Sequence, residues 1–167
     1  MILNLKNIPE KTAFDVVVIG AGGAGMSAAL FAAIDGAKVL LVESTEYVGG
    51  TTAYSAGTTW IVNTPEGLSV NKTDTIADAK IFLNAAVGSY APEAMREAFV
   101  NNGYKAVAHI QANSDVKYVV RPTHPDYISD LPGSVMRGRA IEPISFDGRL
   151  LGENFKYVRP PIPEFTV

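Results

Sequence analysis

A glycine-rich run near the N-terminus is the first pattern whose residue types and spacing indicate chemistry. The run Gly20-Ala-Gly22-Gly23-Ala24-Gly25 has glycine at its first, third and sixth positions, as in turns that bind the pyrophosphate of a dinucleotide. Gly20 allows a tight turn, Gly22 leaves room for the phosphates, and Gly25 lets a helix pack near a strand. The N–H groups that open this helix would face the phosphates. The alternative interpretation is a purely structural turn.

An acidic residue follows near the distance that such a site requires. Glu43 closes the apolar run 38–43, where its carboxylate would accept hydrogen bonds from the ribose hydroxyls of the ligand. A carboxylate at this place repels the 2′-phosphate of NADP, and no arginine follows closely, so these residues leave NAD or FAD. The alternative is that Glu43 is the solvated end of a strand.

The elements that must position these residues are indicated by apolar periodicity. Residues 15–20 form a β-branched apolar run that predicts a buried strand, and residues 38–43 predict a second one. Between them, residues 25–35 predict a helix that ends at Gly36. The apolar stripe of this helix consists of Met26, Leu30 and Ile34. Strand, helix and strand over about residues 14–43 predict a Rossmann-like βαβ unit with parallel strands, and hence an α/β fold.

The segment after Glu43 is rich in small and hydroxylated residues. A loop over residues 44–63 would let backbone and hydroxyl donors reach an extended cofactor beyond its adenosine half. The candidate contacts are Ser44, Gly49, Gly50, Thr51, Thr52, Ser55, Ala56 and Gly57. A polar surface loop is the alternative, because loops favour glycine, serine and threonine.

Helices and a proline-rich tail are predicted for the rest of the chain. Helical periodicity covers about residues 74–112, with an N-terminal cap at Thr73 or Asp74. Residues 116–120 predict a short strand. Most of the 10 prolines come later, so residues 121–167 are predicted to be a loop-rich tail with little secondary structure.

Arginines in this tail form a basic group. Arg137, Arg139 and Arg149 are predicted to lie in a solvated loop, paired with the nearby Glu142 and Asp147, since charge clusters of both signs usually lie at the surface. The alternative is a contact with an anionic substrate.

Several segments resemble one group of flavoproteins. GAGGAG, VES and GGTTAYSAGTTW resemble the FAD-binding start of the 3-ketosteroid Δ1-dehydrogenase group, in the fumarate reductase and succinate dehydrogenase flavoprotein superfamily. HPDYISDLPG, GRAIEPISFDGRLLG and RPPIPEFTV resemble later segments of the same group. Ala56 departs from the pattern, because a second glycine is usual there. The resemblance extends from about Phe14 to Val167 and implies FAD as the cofactor.

The resemblance also implies an activity. Enzymes of this group remove two hydrogens from adjacent carbons beside a ketone, such as that of a steroid: a base takes the α-proton, and the β-hydrogen leaves as hydride to the flavin. It implies one candidate catalytic residue here, Tyr127 in HPDY; the alternative is an aromatic side chain that anchors the loop. Members of the group are much longer, so residues 1–167 are expected to be an N-terminal FAD-binding portion that is inactive alone. The residues identify no electron acceptor.

Two other functions stay open on the sequence. One is a fumarate or succinate-type flavoprotein with a dicarboxylate substrate, against which the HPDY and PPIPEF segments speak mildly. The other is a truncated, non-catalytic nucleotide-binding module.

The composition narrows the range of partners. A net charge of -3 argues against general nucleic-acid binding. The chain has no cysteine and only two histidines, too few for a usual histidine-built metal site.

No apolar run approaches the ~20 residues that span a membrane. The first residues lack the pattern of a secretory signal, so a cytoplasmic location is expected. Apolar residues near Trp60 and in the tail predict self-association.

Overall fold

The computed structural model describes residues 5–165, which form two compact units. The first unit comprises the described residues up to Tyr54 together with those from Gly148 onwards. The second unit is Ser55–Asp147. The glycine-rich turn and Glu43 therefore belong to the first unit, whereas Tyr127 belongs to the second.

The first unit contains the predicted βαβ arrangement. Strand β1 is Val16–Ile19, helix α1 is Gly23–Ile34, and strand β2 is Val39–Val42. The strands are parallel, with Val16 opposite Val39 and Ile19 opposite Val42, as the helical crossover requires. The Asp15 carboxylate accepts a hydrogen bond of 2.8 Å from the N–H of Lys38, which ties the starts of the two strands together. The α/β fold is confirmed.

The burial predicted for the first strand is wrong on one face. Val17 and Ile19 of β1 are 56% and 85% exposed, and Met26 of the predicted α1 stripe is also exposed. A strand is buried on both faces only when a layer covers each face. Among the described residues of this unit, α1 is the one α-helix, and it packs on β1 and β2.

Residues near the end of the described chain pair with Val48, which directly precedes the second glycine pair, Gly49-Gly50. The N–H of Val48 donates to the carbonyl of Tyr157 at 2.8 Å, and the N–H of Arg159 donates to the carbonyl of Val48 at 2.9 Å. A 3-10 helix at Gly50–Tyr54 and 3-10 turns within Gly148–Tyr157, interrupted at Gly152, flank this pairing. Part of the predicted loop-rich tail is therefore ordered by backbone hydrogen bonds.

The second unit combines a small sheet with helices. In chain order it contains β3 (Thr59–Trp60), α2 (Pro65–Val70), α3 (Ile76–Val87), α4 (Glu93–Asn113), β4 (Tyr118–Val120) and β5 (Ala140–Pro143). The strands are antiparallel in the order β3-β5-β4. The long helices and β4 agree with the predicted helical region and strand. β3, β5 and α2 were not predicted, because the glycine, proline, serine and threonine residues in and around them favour loops.

The core of this unit lies between its sheet and helices. The buried apolar side chains are Ile61, Val62, Ala79, Phe82, Val100, Val107, Ala140 and Ile141. A Cβ on Gly103 would lie 3.2 Å from Cδ1 of Ile61, so glycine lets α4 approach this core. Residues 61–62, among the apolar residues near Trp60 from which self-association was predicted, are buried within their own unit. They therefore provide no exposed surface for contact with another chain.

The N-terminus of α3 has a different cap from the one predicted. The hydroxyl of Thr75 accepts a hydrogen bond from the N–H of Asp78 at 3.0 Å and donates one to its carboxylate at 2.6 Å. Thr75 is therefore the N-cap, one residue after the predicted Asp74 and two after the predicted Thr73. Asp74 is instead buried in an ion pair with Arg139.

Candidate functional site

The glycine-rich turn connects β1 to α1 as a dinucleotide-binding turn should. Gly20 has a φ of +95° and its N–H donates to the carbonyl of Val42 at 2.7 Å. A Cβ on Gly25 would lie 1.8 Å from the carbonyl oxygen of Gly20, so only glycine allows the helix to begin this close to the strand. These two glycines have structural roles that do not depend on a ligand.

The second glycine pair lies directly against this turn. The N–H of Gly49 donates to the carbonyl of Ala21 at 2.7 Å. A Cβ on Gly50, whose φ is +53°, would lie 2.9 Å from Cα of Gly22. The structure thus brings together two glycine segments that the sequence separates by more than twenty residues, and the result is a surface formed by backbone.

A threonine contacts the first turn of α1. The N–H of Gly23 donates to the hydroxyl of Thr52 at 3.3 Å, and the N-cap residue Gly22 supplies no side-chain cap. Ala24, Thr51 and Thr52 are exposed. One of the N–H groups expected to face phosphates is therefore shared with a hydroxyl that could itself donate to a phosphate.

Glu43 joins the end of β2 to the glycine-rich turn. Its Oε2 accepts a hydrogen bond from the N–H of Ala21 at 2.8 Å, and its Oε1 accepts one from the N–H of Thr45 at 3.0 Å. The hydroxyls of Ser44 and Thr45 also donate to Oε1, each at 3.1 Å. The N–H of Ala21, followed by that of Thr45, lowers the pKa of Glu43 from its ordinary value of 4.5 to about 2. The carboxylate is thus ionised at neutral pH.

The structure adds a role for this carboxylate that the sequence did not reveal. The predicted role was to bind ribose hydroxyls, which stays a prediction. The observed contacts also hold the turn against β2, because Ala21 lies inside the glycine-rich run. Among the described residues Oε2 accepts a single bond, and a carboxylate oxygen can accept two, so the two roles are compatible.

Three predicted contacts lie in the second unit. The N–H of Gly57 donates to the hydroxyl of Ser55 at 3.1 Å. Gly57 has a φ of +73°, and a Cβ there would lie 2.8 Å from the Pro143 ring. Ser55 and Ala56 are exposed. Their contact with a cofactor stays a prediction.

The chemistry of the first unit fits an adenine dinucleotide with a flavin. The N–H of Gly23 and the exposed hydroxyls of Thr51 and Thr52 lie at the start of α1, where Gly22 presents no side chain to a ligand. The residues that would hold the pyrophosphate are Gly22, Gly23, Ala24, Gly50, Thr51 and Thr52, with Glu43 on the ribose and Ser44 beside it. Within residues 5–165 the structure shows no group of three or more acidic or histidine side chains that could hold a metal ion.

The second unit contains a buried charge cluster that the sequence did not predict. Arg139, only 1% exposed, donates to both carboxylate oxygens of Asp74, at 2.6 and 2.9 Å, and to Oδ2 of Asp126 at 2.9 Å. Its guanidinium lies over the rings of Trp60 and Phe82. The predicted solvated position of Arg139 is wrong, because paired and stacked guanidinium groups can be buried. The sequence offered one signal for this burial, namely that Arg139 is a single charged residue between Gly138 and the apolar Ala140.

Tyr127 lies beside this cluster in the chain but points away from the core. Its side chain is 92% exposed, and its ring centroid is 5.6 Å from that of His124. The alternative interpretation, an aromatic that anchors the loop, has this ring contact with His124 as its one packing contact among those described. Its catalytic role stays a prediction.

Comparisons with known proteins agree with this geometry. A family model described as FAD binding domain matches residues 15–156. The 4-oxocyclohex-2-ene-1-carboxylate 5-dehydrogenase of Sinomonas cyclohexanicum is 37% identical over 93% of this chain and 26% of its own length. The 3-oxosteroid 1-dehydrogenase of Mycolicibacterium smegmatis is 35% identical over 89% of this chain and 26% of its own length.

A solved structure shows the same similarity. The 3-ketosteroid delta1-dehydrogenase from Sterolibacterium denitrificans, in complex with 1,4-androstadiene-3,17-dione, superposes with a TM-score of 0.84 at 35% identity, over 89% of this chain and 26% of that one. The chain therefore spans about a quarter of the length of the relatives that it matches.

In the part of the chain that the structure describes, no helix is both long and apolar enough to cross a membrane.

Proposed function

We propose that this chain, which belongs to the FAD binding domain family and has FAD as its cofactor, is the cofactor-binding part of a dehydrogenase that acts on ring ketones. The single observation that carries the proposal is the similarity, over about nine-tenths of the chain, to dehydrogenases whose names specify an oxo group on a ring. The backbone surface that the two glycine segments form in the first unit also supports the proposal.

The reaction would form a carbon–carbon double bond beside the ketone. The substrate loses a proton from the α-carbon to a base and a hydride from the β-carbon, and FAD, when bound, supplies the two-electron acceptor for that hydride. The ketone oxygen gains negative charge as the α-proton leaves, so a hydrogen-bond donor aimed at this oxygen lowers the barrier.

The residues of this chain would contribute binding and orientation. The glycine-rich turn and Thr52 would bind the pyrophosphate, and Glu43 would accept hydrogen bonds from the ribose. The hydroxyl of Tyr127 would donate to the ketone oxygen, and its exposed ring would contact the apolar body of the substrate. Ser55, Ala56 and Gly57 would lie along the flavin, as the resemblance implies.

The substrate class is an apolar ring ketone such as a 3-ketosteroid. The two relatives described above differ in substrate size, since one is named for a steroid and the other for a single ring that carries a carboxylate. The steroid is preferred, because the solved relative with a TM-score of 0.84 is a ketosteroid dehydrogenase.

The test is turnover by the full-length, FAD-loaded protein. We expect a saturated 3-ketosteroid to bleach the flavin anaerobically and to yield the 1,2-unsaturated product. 4-Oxocyclohexanecarboxylate tests the small-ring alternative, and reduction of fumarate by the chemically reduced protein tests the dicarboxylate alternative. The proposal would be contradicted if the protein reduced fumarate but dehydrogenated no ring ketone. It would also be contradicted if the purified protein retained NAD in place of flavin.

A further inference from the structure

We propose that Asp126 and Arg139 are positioning residues that set the orientation of Tyr127 towards the ketone, an inference that rests on the proposed function. Tyr127 is almost fully exposed, whereas the adjacent Asp126 is 5% exposed. An exposed side chain has few contacts of its own to fix its direction. Its backbone is then oriented by the nearest anchored residue, which here is a buried carboxylate.

Three donors from different parts of the second unit hold that carboxylate. Oδ2 of Asp126 accepts from Nη1 of Arg139 at 2.9 Å and from the N–H of Val135 at 3.0 Å. Oδ1 accepts from the indole N–H of Trp60 at 2.6 Å. Arg139 is itself held by a two-pronged bond to Asp74. Hydrogen bonds to charged groups are directional, so this arrangement allows one position of the carboxylate.

The backbone of Asp126 also closes the loop that carries Tyr127. The N–H of Asp126 donates to the carbonyl of Val135 at 2.9 Å, so the segment 126–135 begins and ends at one point. Within it, the hydroxyl of Ser134 donates to the carbonyl of Ser129 at 2.7 Å.

A second anchor holds the far side of this loop. A Cβ on Gly133, whose φ is +74°, would lie 2.3 Å from the carbonyl oxygen of Asp78 and 2.9 Å from the backbone nitrogen of Phe82. The loop backbone is therefore in direct contact with α3. Tyr127 and Ile128, both exposed, extend from a loop that is fixed at two points.

Stability alone does not explain a buried ion cluster here. Well-packed apolar residues often replace buried ion pairs at no cost in stability, whereas removal of one partner is costly. The cluster does define a geometry, which a site that must hold a donor against a reacting carbonyl requires.

The test is a double-mutant cycle in the full-length, FAD-loaded protein. Asp126→Asn keeps the shape of the side chain and an acceptor oxygen but removes the charge that binds Arg139. We expect kcat for the ring ketone to fall on the order of 10²-fold, as misplacement by about 1 Å does, with a smaller change in KM. In the Tyr127→Phe background, Asp126→Asn should lower kcat little further, because the hydroxyl that it positions is absent. If Asp126→Asn lowered kcat by the same factor in the Tyr127→Phe background as in the wild type, the proposal would be overturned.

The matched control is Asp130→Asn, which changes an exposed carboxylate of the same loop and should leave kcat unchanged. Amide hydrogen exchange over residues 127–134 supplies a readout independent of turnover, and it should accelerate in Asp126→Asn and not in Asp130→Asn. Arg139→Lys, which keeps the charge, should recover part of the kcat that Arg139→Gln loses.

The two proposals fail in different ways. If the wild-type protein turns over no ring ketone, the proposed function is wrong. Unchanged exchange over residues 127–134 in Asp126→Asn overturns the positioning role whether or not the protein has that activity. Should Arg139→Gln not fold, the Asp126→Asn variant still decides the outcome.

Discussion

Individual residues of the first unit act at very short range. Gly25 and Gly22 belong to the same turn, yet an added methyl group meets different surroundings at each position. At Gly25 it would overlap the carbonyl oxygen of Gly20, whereas at Gly22 the nearest atom would be Cα of Gly50 at 3.9 Å, an ordinary contact. One glycine is therefore required by the fold, and the other is free to serve the ligand.

Substitution of these two glycines by alanine should separate folding from cofactor binding. Gly25→Ala forces a backbone shift and should lower the free energy of unfolding by about 1–3 kcal/mol. Gly22→Ala should leave stability nearly unchanged but weaken FAD binding by about tenfold, which corresponds to ~1.4 kcal/mol. Urea unfolding and FAD titration measure the two quantities. Equal FAD affinity in Gly22→Ala and wild type would show that the phosphates do not approach this residue.

Glu43 makes the stability of the first unit sensitive to acid. Its pKa is lowered in the folded chain, to about 2 from an ordinary 4.5, so the folded state favours the ionised form. The resulting stabilisation is fully present above pH 4.5 and is lost as the pH falls towards 2. In Glu43→Gln this part of the acid dependence should be absent, which urea unfolding at a series of pH values would measure. Glu46→Gln, at an exposed neighbour, is the control and should keep the wild-type profile.

At the scale of elements, capping and close approach decided details that periodicity could not. The helical pattern predicted α3 and α4 correctly, because their apolar residues recur every three or four positions. The cap of α3 was assigned to the wrong residue, because Thr73, Asp74 and Thr75 all have suitable side chains. Only the contact of Asp74 with Arg139 leaves Thr75 as the residue at the helix end.

The cap can be tested by a pair of threonine substitutions. Thr75→Ala removes the acceptor for the N–H of Asp78 and should lower the free energy of unfolding by ~1 kcal/mol. Thr73→Ala changes an exposed residue of similar sequence context, and its effect should stay within about 0.5 kcal/mol. Thermal or urea unfolding of both variants gives the comparison. A larger loss in Thr73→Ala would favour the cap position first predicted.

At the scale of the whole molecule, one face of the β1–β2 sheet has no apolar layer over it in the described chain. Val17 and Ile19 are exposed on it, although large exposed apolar side chains next to one another usually mark a contact surface. Self-association of this chain stays a prediction, and this exposed face offers a place to test it.

A charge on this face should reduce self-association. Ile19→Lys adds a cation at an exposed site and should shift the chain towards monomer in sedimentation velocity experiments, because like charges repel across a contact between copies. Tyr90→Lys, at a residue that is also exposed but lies in the second unit, should leave the distribution unchanged. Equal effects of the two substitutions would point to net charge as the cause.

The choice of FAD over NAD came from the resemblance to the ketosteroid dehydrogenase group, which the comparisons confirm. The βαβ unit and the glycine-rich turn, in contrast, followed from the order and spacing of residues alone. These features depend on local spacing, since a turn, a helix start and a strand end are encoded within about thirty residues. The folded structure was needed to reveal the contact between Gly22 and Gly50, the second role of Glu43 and the burial of Arg139. Each of these depends on residues far apart in the chain, and their proximity follows from packing, which no local pattern encodes.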